Sequence, residues 1–235
     1  MRTKKINETI SGKIRNQEFI DATYENLVIR DAIFENTTFN NVHFNNCYLG
    51  FNSSFIKSKF IKCKFYGKYS SLGNPGGILA AYNSCEFVDS EFTGQEILGG
   101  TNFIDSSFSG LFKNIVLRDS TGDLKNHGTN FLNCNLENLI FKDIHIYGKE
   151  VFKNTILPKK ELLLLDNKDD KLIKRTIEIC SNVSSDIKIE SEIIFKPSLR
   201  SGQEIIILDK SFINTFFKSD NSRKLFDEII NGFEL

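Results

Sequence analysis

The sequence predicts a mainly β, four-sided coil followed by a small α+β segment, and three observations carry that expectation. Large apolar residues recur at every fifth position, with Phe19, Tyr24, Ile29, Phe34, Phe39, Phe44 and Leu49 keeping the step without a break. The residue two places before is usually small, as at Ala22, Ala32, Thr37, Val42 and Cys47. From about Lys149 the five-step pattern gives way to ordinary helical and alternating spacings. A period of five fits neither the 3.6-residue helical repeat nor the two-residue strand repeat. Four five-residue sides per turn satisfy it: the central residue and the small one face inward, the other three face solvent. Residues i and i+20 then stack about 4.8 Å apart.

The elements follow in order. Residues 1–13 read as an N-terminal segment or cap, and residues 14–150 as the coil. After Leu49 the register slips by one at Gly50 and resumes with Phe55, Phe60 and Phe65 behind Ser53, Ser58 and Cys63. It returns at Tyr82, Phe87 and Phe92, then at Phe103 and Phe108; Phe112 and Leu117 stand one residue out of phase, and Phe131, Leu136, Phe141 and Ile146 close the run. So narrow an interior admits stacked rings beside small groups, and burying those rings at about 25 cal/mol per Å² is the main favourable term. Asn36, Asn40, Asn41, Asn45 and Asn46 fall at outward or corner positions, where Asn tolerates left-handed backbone. Two stretches cannot continue a regular side and are expected to bulge as loops: residues 66–79, with an Asn-Pro-Gly-Gly turn, and residues 118–128.

Residues 151–235 read as the α+β segment. Leu172, Ile173, Thr176, Ile177 and Cys180 have helical spacing within 169–180, residues 187–195 alternate as a half-exposed strand, and Ile205 to Leu208 suggest another strand. A last helix starts near Asp220 or Ser222 and aligns Leu225, Phe226, Ile229, Ile230 and Phe233. Capping of the coil, dimerisation and partner binding are all open for this segment, because an uncovered solenoid end invites edge pairing.

The repeat, strongest from Ala22 to Phe65, resembles the pentapeptide-repeat proteins. The resemblance implies a right-handed quadrilateral β-helix with Phe or Leu at the centre of each unit. It also implies two further expectations: homodimerisation through a C-terminal element, and, as in the quinolone-resistance proteins, mimicry of duplex DNA toward DNA gyrase or topoisomerase IV.

Composition excludes little else. The 235 residues carry 30 basic and 30 acidic side chains, a formal net charge of zero, which offers nucleic acid or an anionic membrane no attraction. No apolar run approaches about 18 residues and the basic N-terminus lacks a signal-peptide core, so a soluble, cytoplasmic, bacterial-type protein is expected. Cys47, Cys63, Cys85 and Cys134 occupy the small inward position and read as packing choices in a reducing compartment. No Cys or His pair has metal-ligand spacing, and neither metal nor cofactor is expected. His43 and His145 fall outward and His127 in a loop, Asp143 with His145 reads as a solvated contact, and the glycine-rich pieces lack the Lys-Ser/Thr of a phosphate loop. The chain is therefore not expected to be an enzyme.

A binding surface is expected instead: a non-catalytic protein–protein interaction module, with topoisomerase mimicry as the alternative. Lys57, Lys59, Lys62 and Lys64 form an outward basic band, and Tyr69, Pro75, Ile78 and Leu79 are candidate anchors in the first loop. Glu18, Asp21, Glu25, Asp31 and Glu35 give the first turns an acidic face, the feature that mimicry would use. Stacking by 20 places Asp21 over Asn41 and Glu25 over Asn45, which breaks the acidic ladder.

Overall fold

Two residues beyond each central side chain the backbone must turn a corner, and there the chain adopts left-handed geometry. In the computed structural model, which describes residues 2–73, 79–118, 128–147, 151–158, 162–196 and 205–235, Asp21, Asn26, Asp31, Asn36, Asn41 and Asn46 all have φ between 49° and 55°. Asp and Asn reach this region at least cost among residues with a side chain. Between the corners run short parallel strands such as Ala22–Glu25, Thr38–Asn40, His43–Asn45, Lys59–Ile61 and Lys64–Tyr66, each hydrogen-bonded to the turns below and above.

The register is the one the five-step repeat demands. On one side Phe19, Phe39, Phe60, Phe87 and Phe108 align, and on another Ile14, Phe34, Phe55, Tyr82, Phe103, Phe131 and Phe152. The step is 20 residues from Phe19 to Phe39, 21 from Phe39 to Phe60 and 27 from Phe60 to Phe87, where the first loop leaves the coil. Rings stack along the columns: Phe39 lies 4.8 Å from Phe19 and from Phe60, nearly parallel to both, and meets Phe44 edge-on at 5.9 Å. Strand spacing thus sets ring spacing, and the two geometries favour each other.

Glycine marks two register changes. A Cβ at Gly50 would lie 2.1 Å from the Leu72 carbonyl oxygen, and one at Gly110 (φ +115°) 2.2 Å from that of Ser90. Gly110 takes the inward position beside Ser90, and this shift brings Phe112 back into column after a four-residue side.

The small inward column is a hydrogen-bond ladder as well as a space filler. Ser90 Oγ accepts from the Cys63 amide at 3.3 Å and donates to the Phe60 carbonyl at 3.0 Å; Ser106 does the same for Cys85 and Tyr82. The cysteines join it, with Sγ of Cys47, Cys63, Cys85 and Cys134 donating to the carbonyls of Tyr24, Phe39, Phe55 and Phe103 at 3.3–3.4 Å. Their placement therefore serves polar satisfaction beyond apolar packing.

The ladder extends past the expected bounds. Strands Thr3–Ile6 and Thr9–Arg15 pair with Ala22–Glu25 and Val28–Glu35, inside the stretch read as a cap, and Phe152–Lys153 continues it beyond residue 150. Lys5 takes a central position there, over the Tyr24 ring at 5.5 Å and 3.7 Å from Glu8.

Beyond the coil, antiparallel strands Leu162–Asp166 and Ile205–Asp209 pack, among the described residues, with helices α1 (Lys171–Ser181), α2 (Ser185–Ile194), α3 (Lys210–Phe216) and α4 (Asp220–Ile230). Leu165, Leu172, Phe195, Leu208, Phe226 and Ile229 belong to their shared core. Residues 187–194 are helical where a strand was expected over 187–195. Alternation holds only as far as Glu190; the Ile193–Ile194 pair breaks it, whereas Ile187, Ser191 and Ile194 fall on one helical face against α4. The cap of α4 is Ser219, whose Oγ accepts from the Ser222 amide at 3.1 Å. This segment covers the last turn of the coil: buried Asp209 accepts from the Ile144 amide at 2.7 Å, and Leu162, Leu164 and Ile207 join the coil's core.

Candidate interaction surface

Each side of the coil presents two outward residues flanking the buried centre, so any surface is read as columns one turn apart. One column runs Glu18, Thr38, Lys59, Glu86 and Ser107, and its neighbour Thr23, His43, Lys64 and Glu91. The lysine band meets carboxylates on the next turn. Lys59 Nζ lies 3.0 Å from Glu86 and Lys64 Nζ 2.9 Å from Glu91. Glu86 and Glu91 were missed because the first loop lengthens that step to 27 residues, hiding the pairing from a search at 20. Lys57 and Lys62 lie at exposed corners with φ of 50° and 51°, where their amides bond the Asn83 and Val88 carbonyls. Exposed ion pairs of this kind contribute about 0–1 kcal/mol each, so their effect is on surface potential more than on the fold.

The acidic set is divided in the same manner. Glu25 and Glu35 pair with Lys4 at 3.1 Å and Arg15 at 2.7 Å. Asp21 and Asp31 are corner residues whose carboxylates accept from the Asn41 and Asn52 side-chain amides at 2.6 and 2.7 Å. Glu18 stands exposed on its strand. The acidic residues therefore form local pairs and no continuous ladder.

Of the loop anchors, Tyr69 is 57% exposed and Leu79 half-buried, while Pro75 and Ile78 lie outside the described residues, as do residues 119–127 of the second loop. The described start of the first loop is tied to the coil: Ser70 accepts from the Cys47 amide at 3.2 Å, the Tyr69 amide donates to Asn46, and the Tyr82 hydroxyl donates to Leu72. Two residues past Tyr69, Ser71 pairs with Tyr48 of strand Tyr48–Phe51. Tyr48 and Phe51 are 42% and 45% exposed, and Arg30 on the turn below sits 5.4 Å over the Phe51 ring. This aromatic set joins Tyr48, at the ordinary outward position before central Leu49, to Phe51, which the Gly50 slip turns outward. The slip was legible in the sequence; which ring it would expose was not.

The histidines differ from expectation in their surroundings. His43 is half-buried in a hollow of about 330 Å³ with Lys64, Tyr66 and Glu91, and burial, with Arg2 and Lys64 nearby, lowers its pKa from the usual 6.5. His145 is covered by the Phe212 ring at 4.2 Å. Burial pushes the Cys63 and Cys85 thiols up to about 12 and those of Cys47 and Cys134 to about 11. Among the described residues no group of three or more His, Cys, Asp and Glu is placed to hold a metal, and no helix is long and apolar enough to cross a membrane.

No protein-family model matches the sequence, and no curated protein matches it. Among solved structures it is similar to a trypsin-treated form of QnrB1, a plasmid-mediated fluoroquinolone resistance protein, at 16% identity over 62% of this chain and 92% of the other, with a TM-score of 0.22. It is also similar to HetL, a pentapeptide repeat protein involved in heterocyst differentiation regulation from the cyanobacterium Nostoc sp. strain PCC 7120, at 9% identity over 65% and 90% of the two chains and a TM-score of 0.21. Likenesses this slight carry no argument about function, and the architecture rests on the chain's own register.

Proposed function

We propose that this pentapeptide-repeat solenoid acts as a non-catalytic protein–protein interaction module. The observation that carries the proposal is the exposed aromatic set, Tyr48, Phe51 and Tyr69 with Arg30 over Phe51, held on a coil whose own core is filled by stacked rings. Tyr, aromatic and Arg side chains dominate binding hot spots because they bury large area for few rotatable bonds. The Lys59–Glu86 and Lys64–Glu91 pairs and Tyr69 belong to the same proposal as polar and aromatic contacts for a protein partner. Direct nucleic-acid binding is not part of it, since the chain is neutral overall. Nor does the divided acidic face favour duplex mimicry toward gyrase or topoisomerase IV, whose sites are tuned to closely spaced phosphates.

The test compares the wild-type chain with a Tyr48→Ala, Phe51→Ala, Tyr69→Ala variant as affinity baits at two salt concentrations. A partner enriched by the wild type and lost with the variant is expected, each anchor contributing about 2 kcal/mol, or roughly thirtyfold in Kd. Equal recovery by both baits would dismiss this surface. Altered gyrase supercoiling abolished by neutralising Glu18, Asp21, Glu25 and Asp31 would put mimicry in its place.

A further inference from the structure

The C-terminal helices obey a rule that one of them breaks. Outside α4 stand Asp220, Asn221, Lys224, Asp227 and Glu228, all exposed, while its apolar face is buried. That face is used up inside the segment. α2 is different: Ile187, Ser191 and Ile194 face the core, yet Ile189 and Ile193 on the other side are 48% and 54% exposed. Ile177 of α1, 56% exposed, borders the same groove, which measures about 550 Å³ and reaches the Phe195 ring. A helix apolar on two opposite sides is normally covered on both, and a hollow of this size holds several aliphatic side chains.

Charge narrows the occupant. Among the described lining residues Lys188 and Lys196 stand on the groove's rim with Glu192, which lies 3.8 Å from Lys188, a balance of one net positive charge toward Lys196. We infer that the groove receives an amphipathic helix of a partner protein, with aliphatic residues one and two turns apart resting on Ile177, Ile189 and Ile193 and acidic residues along its flank toward Lys188 and Lys196. Helix-in-groove recognition uses this pairing of an apolar stripe with complementary edges. A two-fold copy of the same surface would set one concave groove against another and bring its own lysines, so a second copy fits less well. This surface is separate from the aromatic set on the coil, and either can fail without the other.

The experiment titrates the full chain with a synthetic amphipathic helix carrying leucines at i, i+4 and i+7 and glutamates on its flanks, against the same helix with lysines there. The acidic peptide is expected to bind at least about tenfold tighter than the basic one, and salt should narrow the gap. Ile189→Glu with Ile193→Glu should remove binding while leaving the coil's partner capture unchanged. Lys188→Glu with Lys196→Glu should invert the peptide preference and serves where the first variant misfolds. Absence of binding by either peptide, equal binding by the double isoleucine variant, or no response of the preference to charge reversal would overturn the inference. So would a concentration-dependent dimer that the isoleucine substitutions dissociate, which would make the occupant a second copy.

Discussion

Replacing Ser90 with Ala tests whether the small inward column acts by hydrogen bonding or by size alone. The side chain is fully buried, its Oγ accepts from the Cys63 amide at 3.3 Å, and it donates to the Phe60 carbonyl at 3.0 Å. Alanine preserves the volume within one oxygen, so no cavity or clash accompanies the change. What it leaves is a buried amide without its acceptor, and an unsatisfied donor of that kind costs about 1–3 kcal/mol. Ser90→Cys should cost less, because cysteines occupy the equivalent places at Cys63 and Cys85 and donate to the turn below at 3.3–3.4 Å. Urea denaturation at unchanged m-value reads the difference as a shift in midpoint. A solenoid can unfold in parts, so hydrogen exchange at the Cys63 amide supplies a local readout. A Ser90→Ala chain within about 0.5 kcal/mol of wild type, with that amide still protected, would refute the ladder and return the column to simple space filling.

Phe39→Ala should cost about 3–5 kcal/mol by opening a cavity between the Phe19 and Phe60 rings, whereas outward Asn40→Ala should stay within about 0.5; equal costs in denaturant melts would contradict the register. All five cysteines are free and buried, and burial raises their thiol pKa values, so a chromogenic disulfide reagent near neutral pH should label none in the native chain and five after unfolding. His43, held below 6.5 in the fold, resists a proton that the unfolded chain accepts. Stability should therefore be full above about 6.5 and fall as pH drops below it, and His43→Gln should flatten that slope in melts between about pH 7 and 5. Lys5→Leu should turn the N-terminal opening into an apolar edge and promote end-to-end association, which sedimentation would detect; a monodisperse variant would show that Lys5 does not guard that end.

Most of the coil was legible because its side chains repeat where its geometry repeats. Phe39 and Phe60 fall in one column by counting, and the Asp21 and Asn41 corners follow from which residues tolerate positive φ. Partners across an insertion were not legible: Lys59 meets Glu86 across a step of 27 residues, seven more than a regular turn of 20, and nothing local announces how far the chain travels before it returns. Ile193 and Ile194 show the other limit. A short segment with apolar residues at positions 187, 189, 193 and 194 suits both periods, and packing against α4 decides between them.

The contrast between the two ends of the coil explains where binding can reside. At one end Lys5 puts a charge where an apolar centre belongs; at the other Asp209 meets the Ile144 amide and the C-terminal segment covers the rings. The C-terminal segment covers one edge through which a parallel ladder would extend itself, and Lys5 places a charged side chain at the other. Between them the interior is filled with rings about 4.8 Å apart, which leaves a substrate no room inside. Recognition is thereby confined to the outside, and a regular outside is polar, since the repeat requires inward apolar and outward solvated positions. Regular outward positions carry single apolar side chains such as Ile20, Ile33 and Tyr48; Phe51 is added where the repeat is broken at the Gly50 slip, and Ile177, Ile189 and Ile193 reach solvent on α1 and α2, which lie beyond it. The same glycine whose Cβ would collide with Leu72 thus sets the register of the next turn and the position of Phe51, one of the rings proposed to bind.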